Sequence, residues 1–157
     1  MNRLGAAILM ISQGTPFMQA GEEMLRTKDG DENSYKSSDE INNIDWEALT
    51  PDSNEYKTML YYKGLIAMRR AFSIFRSTEA GVVTFEDLGG GKLAVKYNDG
   101  KGNEALVLIN PTTSLMNYDL VGEWRLVVDK YGAGTDTIST DSGNISLPGC
   151  SICVYVK

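Results

Sequence analysis

The chain has 157 residues, 42% of them hydrophobic and 23% charged, an ordinary mix for a globular protein of one domain or two small ones. Fifteen Lys and Arg against 21 Asp and Glu leave a net charge of −6, which repels phosphate backbones and anionic lipid, so no nucleic acid and no membrane partner is expected. Histidine is absent, which excludes Ser-His-Asp and Cys-His triads and every His-ligated metal site.

Leu4, Ile8 and Ile11 recur at helical spacing, and Ala7, Leu9 and Met10 make the remaining sides apolar. This pattern predicts a helix buried on every side. With one charge, Arg3, and no small-residue cleavage pattern before Ser12-Gln13-Gly14, it does not read as a signal peptide, and no run approaches the roughly 20 apolar residues of a membrane span. Gly14 suits the helix end and Pro16 cannot continue it. Phe17-Met18-Gln19-Ala20-Gly21 is short, apolar and bounded by Pro and Gly, the signature of a buried strand. Helix, tight turn and buried strand make half of an α/β repeat. Residues 22–43 form a long polar stretch beyond the C-terminal end of that strand, the end at which α/β folds bind ligands.

Thr50-Pro51-Asp52 is a helix-start signal, with Asp52 and Glu55 a second capping option. Tyr61, Leu65, Met68 and Phe72 mark the apolar stripe of that helix, widened by Tyr62 and Ile66. Gly64 inside it costs about 1 kcal/mol relative to Ala, which a close packing contact would offset. Arg69-Arg70 near its end suit the helix dipole.

After residue 78 the pattern changes to short alternating runs and turn signals. Strands are predicted at Val82–Phe85, around Leu93, Val95 and Tyr97, at Ala105–Ile109, Leu115–Leu120, Trp124–Val128, Asn144–Leu147 and Ser151–Val156. Such spacing predicts a sandwich or barrel. Cys150 and Cys153, three apart in a strand, would face opposite ways, and no second pair completes a zinc site, so both read as small buried side chains.

Four features invite chemistry. Glu22 and Glu23 are adjacent at a strand end and face opposite ways, so they cannot flank one bond as an acid–nucleophile pair. Asp29-x-Asp31-x-Asn33 with Glu40 echoes a calcium loop, but Ser34 stands where that loop needs Gly, and a solvated acidic loop is the better reading; no cofactor is expected. Arg26, Asn33, Tyr35 and Trp46 are the side chains a sugar site uses, hydrogen-bonding groups for hydroxyls and aromatic faces for the apolar sugar face; core packing is the competing reading for Trp46. The glycines at 89–91 lack the spacing of a phosphate-binding loop.

Ser12-Gln13-Gly14-Thr15-Pro16-Phe17-Met18-Gln19-Ala20-Gly21-Glu22-Glu23 resembles the last barrel strand of the α-amylase superfamily, glycoside hydrolase family 13. Arg26-Thr27-Lys28, Asn33-Ser34-Tyr35, Asp39, Ile41-Asn42 and Ile44-Asp45-Trp46 resemble the type I pullulanases, which cleave α-1,6 branch points. The resemblance is strong over residues 3–46, moderate to 76, and in the sheet region rests on Leu106–Pro111 and the terminal strand. Lys36-Ser37-Ser38 departs from the Asn that commonly follows the Tyr.

The resemblance implies an α+β chain. Residues 1–78 would be the end of a catalytic (β/α)8 barrel (last strand, loop and helix), and residues 79–157 a C-terminal antiparallel β-sandwich. The family hydrolyses with retention through three carboxylates after barrel strands four, five and seven. None of the three is in this chain, so the catalytic residues would lie on an upstream barrel and the chain alone would be inactive. Arg26, Asn33, Tyr35 and Trp46 would line the cleft for an α-glucan such as pullulan, starch or glycogen. Two rival readings are a non-catalytic carbohydrate-binding module and a purely structural sandwich; another specificity of the α-amylase family is a third.

Overall fold

The computed structural model describes residues 1–157. These form two compact units, Met1–Pro16 with Tyr61–Lys157, and Phe17–Leu60.

The larger unit is built on a six-stranded antiparallel sheet: β1 (Val83–Asp87), β2 (Leu93–Asn98), β3 (Glu104–Asn110), β4 (Met116–Val128), β5 (Ser139–Leu147) and β6 (Ser151–Val156). Their order across the sheet is β1-β2-β3-β6-β4-β5. Strand alternation divides the side chains between two faces. Val95 pairs with Val107, and Val107 with Val154, in one row. On this face lies α1 (Asn2–Ile11), which contacts β6. Tyr97 follows the row and donates its hydroxyl to the Ile11 carbonyl at 2.8 Å, while Phe75 meets its ring edge-on at 5.2 Å between centroids.

The opposite face carries Ala94, Leu106, Leu108, Cys153 and Tyr155, clustered with Met116, Leu120 and Leu126 of β4 and Leu147 of β5. Yet β4 pairs with β6 only from Arg125 onward. The earlier half of β4 thus reaches this cluster by folding over the sheet. Register shifts between Leu120 and Trp124 and between Leu126 and Val128, with Gly122 at φ 80°, supply the bend. One continuous sheet so encloses a sandwich-type core. Asn110, fully buried, stops β3: its amide donates to the carbonyls of Ser114 at 2.8 Å and Pro148 at 3.0 Å, tying the β3–β4 turn to the β5–β6 turn.

Helix α3 (Asn54–Ala71) buries Tyr61, Tyr62, Leu65 and Met68 of the predicted stripe, while Phe72 falls one residue past the helix and is half-buried. Ile66 is exposed. A Cβ on Gly64 would stand 1.9 Å from the Ala133 carbonyl oxygen, so the glycine is required by close approach of the Tyr131–Gly134 loop.

Several expectations are corrected. Helix α1 is one-sided: Leu4, Ala6, Ala7, Met10 and Ile11 are buried, but Ile8 is 37% exposed, because nothing in this unit packs on that flank. Phe17–Gly21 forms no strand. A strand needs a ladder, all six strands belong to the one antiparallel sheet, and Phe17 is 90% exposed. The Thr50-Pro51-Asp52 signal makes a turn, Ser53 N–H donating to Thr50; α3 starts later, with Ser53 Oγ accepting from Tyr56 N–H at 3.1 Å. The runs at 115–120 and 124–128 are one bulged strand, because Val121-Gly122-Glu123 bends the ladder without ending it. Cys150 precedes β6 at φ 52°, in the turn; both cysteines are free.

Arg69 also departs from expectation. It is 6% exposed and serves another helix: Nη1 donates to Met10, Ser12 and Phe75 carbonyls and Nη2 to Gly14. These include carbonyls at and just past the C-terminus of α1, where the helix dipole favours a cation. The end of α3 is served by Arg76, whose Nε donates to the Arg69 carbonyl at 3.1 Å.

Candidate functional site: the Gly21–Trp46 loop

The four sugar-site side chains all belong to the smaller unit, Phe17–Leu60. Its frame begins at Gly21. At φ 96° this residue turns the chain so that its carbonyl accepts from both Met24 and Arg26 N–H. A Cβ here would come within 2.6 Å of Arg26 Cδ, so only glycine lets the arginine lie against the turn. Glu23 closes the turn by accepting the Gly21 N–H at 3.0 Å. Neither Glu22 nor Glu23 is buried.

Arg26 reaches across the loop. Its guanidinium donates to the Ala20 carbonyl at 3.2 Å and to the Asn42 carbonyl, while Nε is buried without a partner. Asn42 is the hub. Its side-chain oxygen accepts from Lys28 Nζ at 2.6 Å, and its amide donates to Ser34 and Ser37 carbonyls at 2.7 and 2.9 Å. Asn42 sits in α2 (Asp39–Asn42), a single helical turn that aims it back into the loop. One residue therefore joins three separate stretches of a segment without a sheet.

Asp31 pins the tip. It accepts from the Ser37 hydroxyl and from Asn33 N–H at 3.0 Å, and these bonds hold its carboxyl below the ordinary value of 3.8. No group of three or more His, Cys, Asp or Glu side chains is arranged to hold a metal ion.

On this frame the remaining residues face solvent. Asn33 is exposed; Tyr35 is 74% exposed, with the Lys36 ammonium 5.3 Å from its ring centroid. Trp46, 65% exposed, opens a 3-10 turn that Asp45 caps by accepting Glu47 and Ala48 N–H at 3.0 and 3.3 Å. Core packing does not account for Trp46. Two aromatic rings and an amide on a pinned loop can stack on and hydrogen-bond a sugar, and no acid–nucleophile pair accompanies them. Arg26 directs one donor of each terminal nitrogen to a main-chain carbonyl and so shapes the loop. Sequence reasoning missed Lys28, Asn42 and Gly21 as its framework, although all three fall inside the runs Arg26-Thr27-Lys28, Ile41-Asn42 and Ser12–Glu23.

No family model matches the chain. Among curated proteins it is 33% identical over 138 residues to the pullulanase of Bacillus subtilis (strain 168), a match covering 87% of this chain and 17% of that protein. Among solved structures, the pullulanase from Bacillus acidopullulyticus superimposes with a TM-score of 0.89 at 28% identity, over 99% of this chain and 20% of the other. The counterpart of this chain is the C-terminal region of the pullulanases. A shorter match, 38% over 74 residues and 47% of the chain, is to the isoamylase of Pseudomonas amyloderamosa, of which it spans 9%. The chain spans a fifth or less of each of these three proteins. Its folded-over sheet and its Gly21–Trp46 loop both lie within the superimposed length.

Proposed function

We propose that the chain works as the C-terminal part of a pullulanase-like debranching glycoside hydrolase acting on α-1,6-glucosidic linkages of pullulan, starch or glycogen. Residues 1–78 complete the end of the catalytic (β/α)8 barrel, and residues 79–157 form the C-terminal sheet domain beside it. The upstream barrel carries the three carboxylates of a retaining mechanism. In this reading Asn33, Tyr35 and Trp46 border the glucan cleft, and Arg26 both lines it and fixes the loop that presents them.

The observation that carries the reading is likeness along nearly the whole chain, 99% of it at TM-score 0.89, to a pullulanase. In sequence, the match to the isoamylase covers 47% of the chain, against 87% for the Bacillus subtilis pullulanase. The Arg26-Thr27-Lys28 and Asn33-Ser34-Tyr35 runs favour pullulanase specificity over another member of the superfamily.

The test is a hybrid enzyme. Replacing the matching segment of the Bacillus subtilis pullulanase with this chain should retain hydrolysis of pullulan, and the 157-residue chain alone should release no reducing sugar. A folded hybrid without activity, or turnover by the chain alone, overturns the proposal.

A further inference from the structure

The larger unit carries a cleft of about 340 Å³ on the folded-over side of the sheet, remote in sequence from the loop described above. Its floor comes from β2 and β3 and its wall from the bend of β4. The bend that lets β4 fold across the sheet is thus also what opens the cleft.

Its lining combines two chemistries. Tyr118 and Trp124 supply aromatic carbon, both packed against the core cluster and therefore held in place. Its polar side chains are Asn98, whose amide already donates to Glu104 Oε1 at 3.0 Å, and the carboxylates Glu104 and Asp119, which remain acceptors for ligand hydroxyls. The cations are already matched: Lys96 Nζ lies 2.7 Å from Glu86, and Lys157 Nζ lies 2.7 Å from Glu104 and 4.2 Å from the Trp124 ring centroid. An anionic ligand therefore finds no unmatched cation and meets the Asp119 carboxylate. A neutral ligand with several hydroxyls and an apolar C–H face fits both halves of the lining. Clefts of some 300–1,000 Å³ with aromatic walls and few placed polar groups are the usual form of small-ligand sites, and this volume suits one or two sugar rings.

We propose that this cleft is an accessory carbohydrate-binding site for α-glucan, distinct from the Gly21–Trp46 loop. The choice of α-glucan rests on the function proposed above; the choice of a neutral polyhydroxyl ligand rests on the lining. The site holds glucan without cleaving it: Glu104 is engaged by Lys157 at 2.7 Å and by the Asn98 amide at 3.0 Å.

Titrating the 15N-labelled 157-residue chain with maltotetraose tests the site. Saturable amide shifts at residues 96–98 and 118–124 are expected, in the millimolar range typical of a small neutral ligand on an open cleft. Trp124→Ala should weaken binding at least tenfold. Because Trp124 also packs on the core, Asp119→Ala, at an exposed position, provides a second variant that should weaken binding while leaving the spectrum folded. Absence of shifts at these residues overturns the site, as does binding unchanged in Asp119→Ala and in a folded Trp124→Ala. Shifts confined to residues 33–46 overturn it while supporting the loop reading. The hybrid-enzyme assay judges the debranching function independently of either result.

Discussion

Arg69 Nη1 donates to the carbonyl oxygen of Met10 at 2.7 Å, across 59 residues of sequence. The contact joins the exit of α1 to the last turn of α3, and the same guanidinium holds Ser12, Gly14 and Phe75. Burial, with Arg76 nearby, pulls its pKa below the ordinary arginine value. The charge is matched by carbonyl dipoles without a carboxylate. Arg69→Met should therefore leave buried acceptors unpaired and destabilise the chain by about 3 kcal/mol or more. Arg69→Lys keeps the charge but loses the planar fork, and should still cost about 1–3 kcal/mol. Urea unfolding midpoints at unchanged m-value would measure both; a neutral Arg69→Lys would contradict the fork argument.

Two glycines in helices should respond oppositely to alanine. Gly64→Ala places a methyl 1.9 Å from a main-chain oxygen of Ala133, which cannot move aside as a side chain does. The clash outweighs the gain in helix propensity, leaving the chain about 1–3 kcal/mol less stable. Gly5→Ala in α1 meets nothing within 4 Å and should raise stability by roughly 0.5–1 kcal/mol. Thermal melting of the pair compares them directly.

Alkaline destabilisation should begin near pH 9, where an unfolded Cys153 would start to ionise, and steepen above pH 10. Burial pushes the Tyr97 hydroxyl up to about 12 and the Cys153 thiol up to about 12, and raises Tyr61 and Tyr155 as well. Each group is neutral in the folded state and ionises more readily once unfolded. Their stabilisation is full below the unfolded values and is lost as pH rises toward the folded ones. Circular dichroism against pH would show the loss, and Cys153 should resist thiol reagents at pH 8 until the chain unfolds.

The loop should respond to acid. Asp31 ionises below its ordinary value because Ser37 and Asn33 N–H bond the carboxylate, so its contribution is present above that value and disappears as pH falls through the lowered one. Ser37→Ala should move the Asp31 titration upward, as read by carboxyl NMR shifts, and loosen the amide protection of Asn33.

Local pattern located what local pattern determines. The run Ser151–Val156 is a strand with the bounds its composition predicts, and Tyr61, Leu65 and Met68 form a buried stripe as their spacing requires. The contact that offsets Gly64 was legible as a need, although its partner Ala133 was not. What escaped depends on distant parts of the chain. The partner of Arg69 lies on another helix, and the continuity of β4 through Gly122 depends on the neighbouring strand. Phe17–Gly21 has the composition of a strand but no ladder to join. In the site, the aromatic and amide residues were visible as types; the bracing by Asn42 required coordinates, since one amide can bond anywhere a loop brings it.

The sheet ends in strands of different character. Outward residues Thr140, Ser142, Asn144 and Ser146 make β5 hydrophilic along its exposed side, and β1 finishes in Glu86-Asp87. Two molecules aligned rim to rim through β5 would gain little apolar contact. The β5 margin of the domain therefore discourages fibrous self-association.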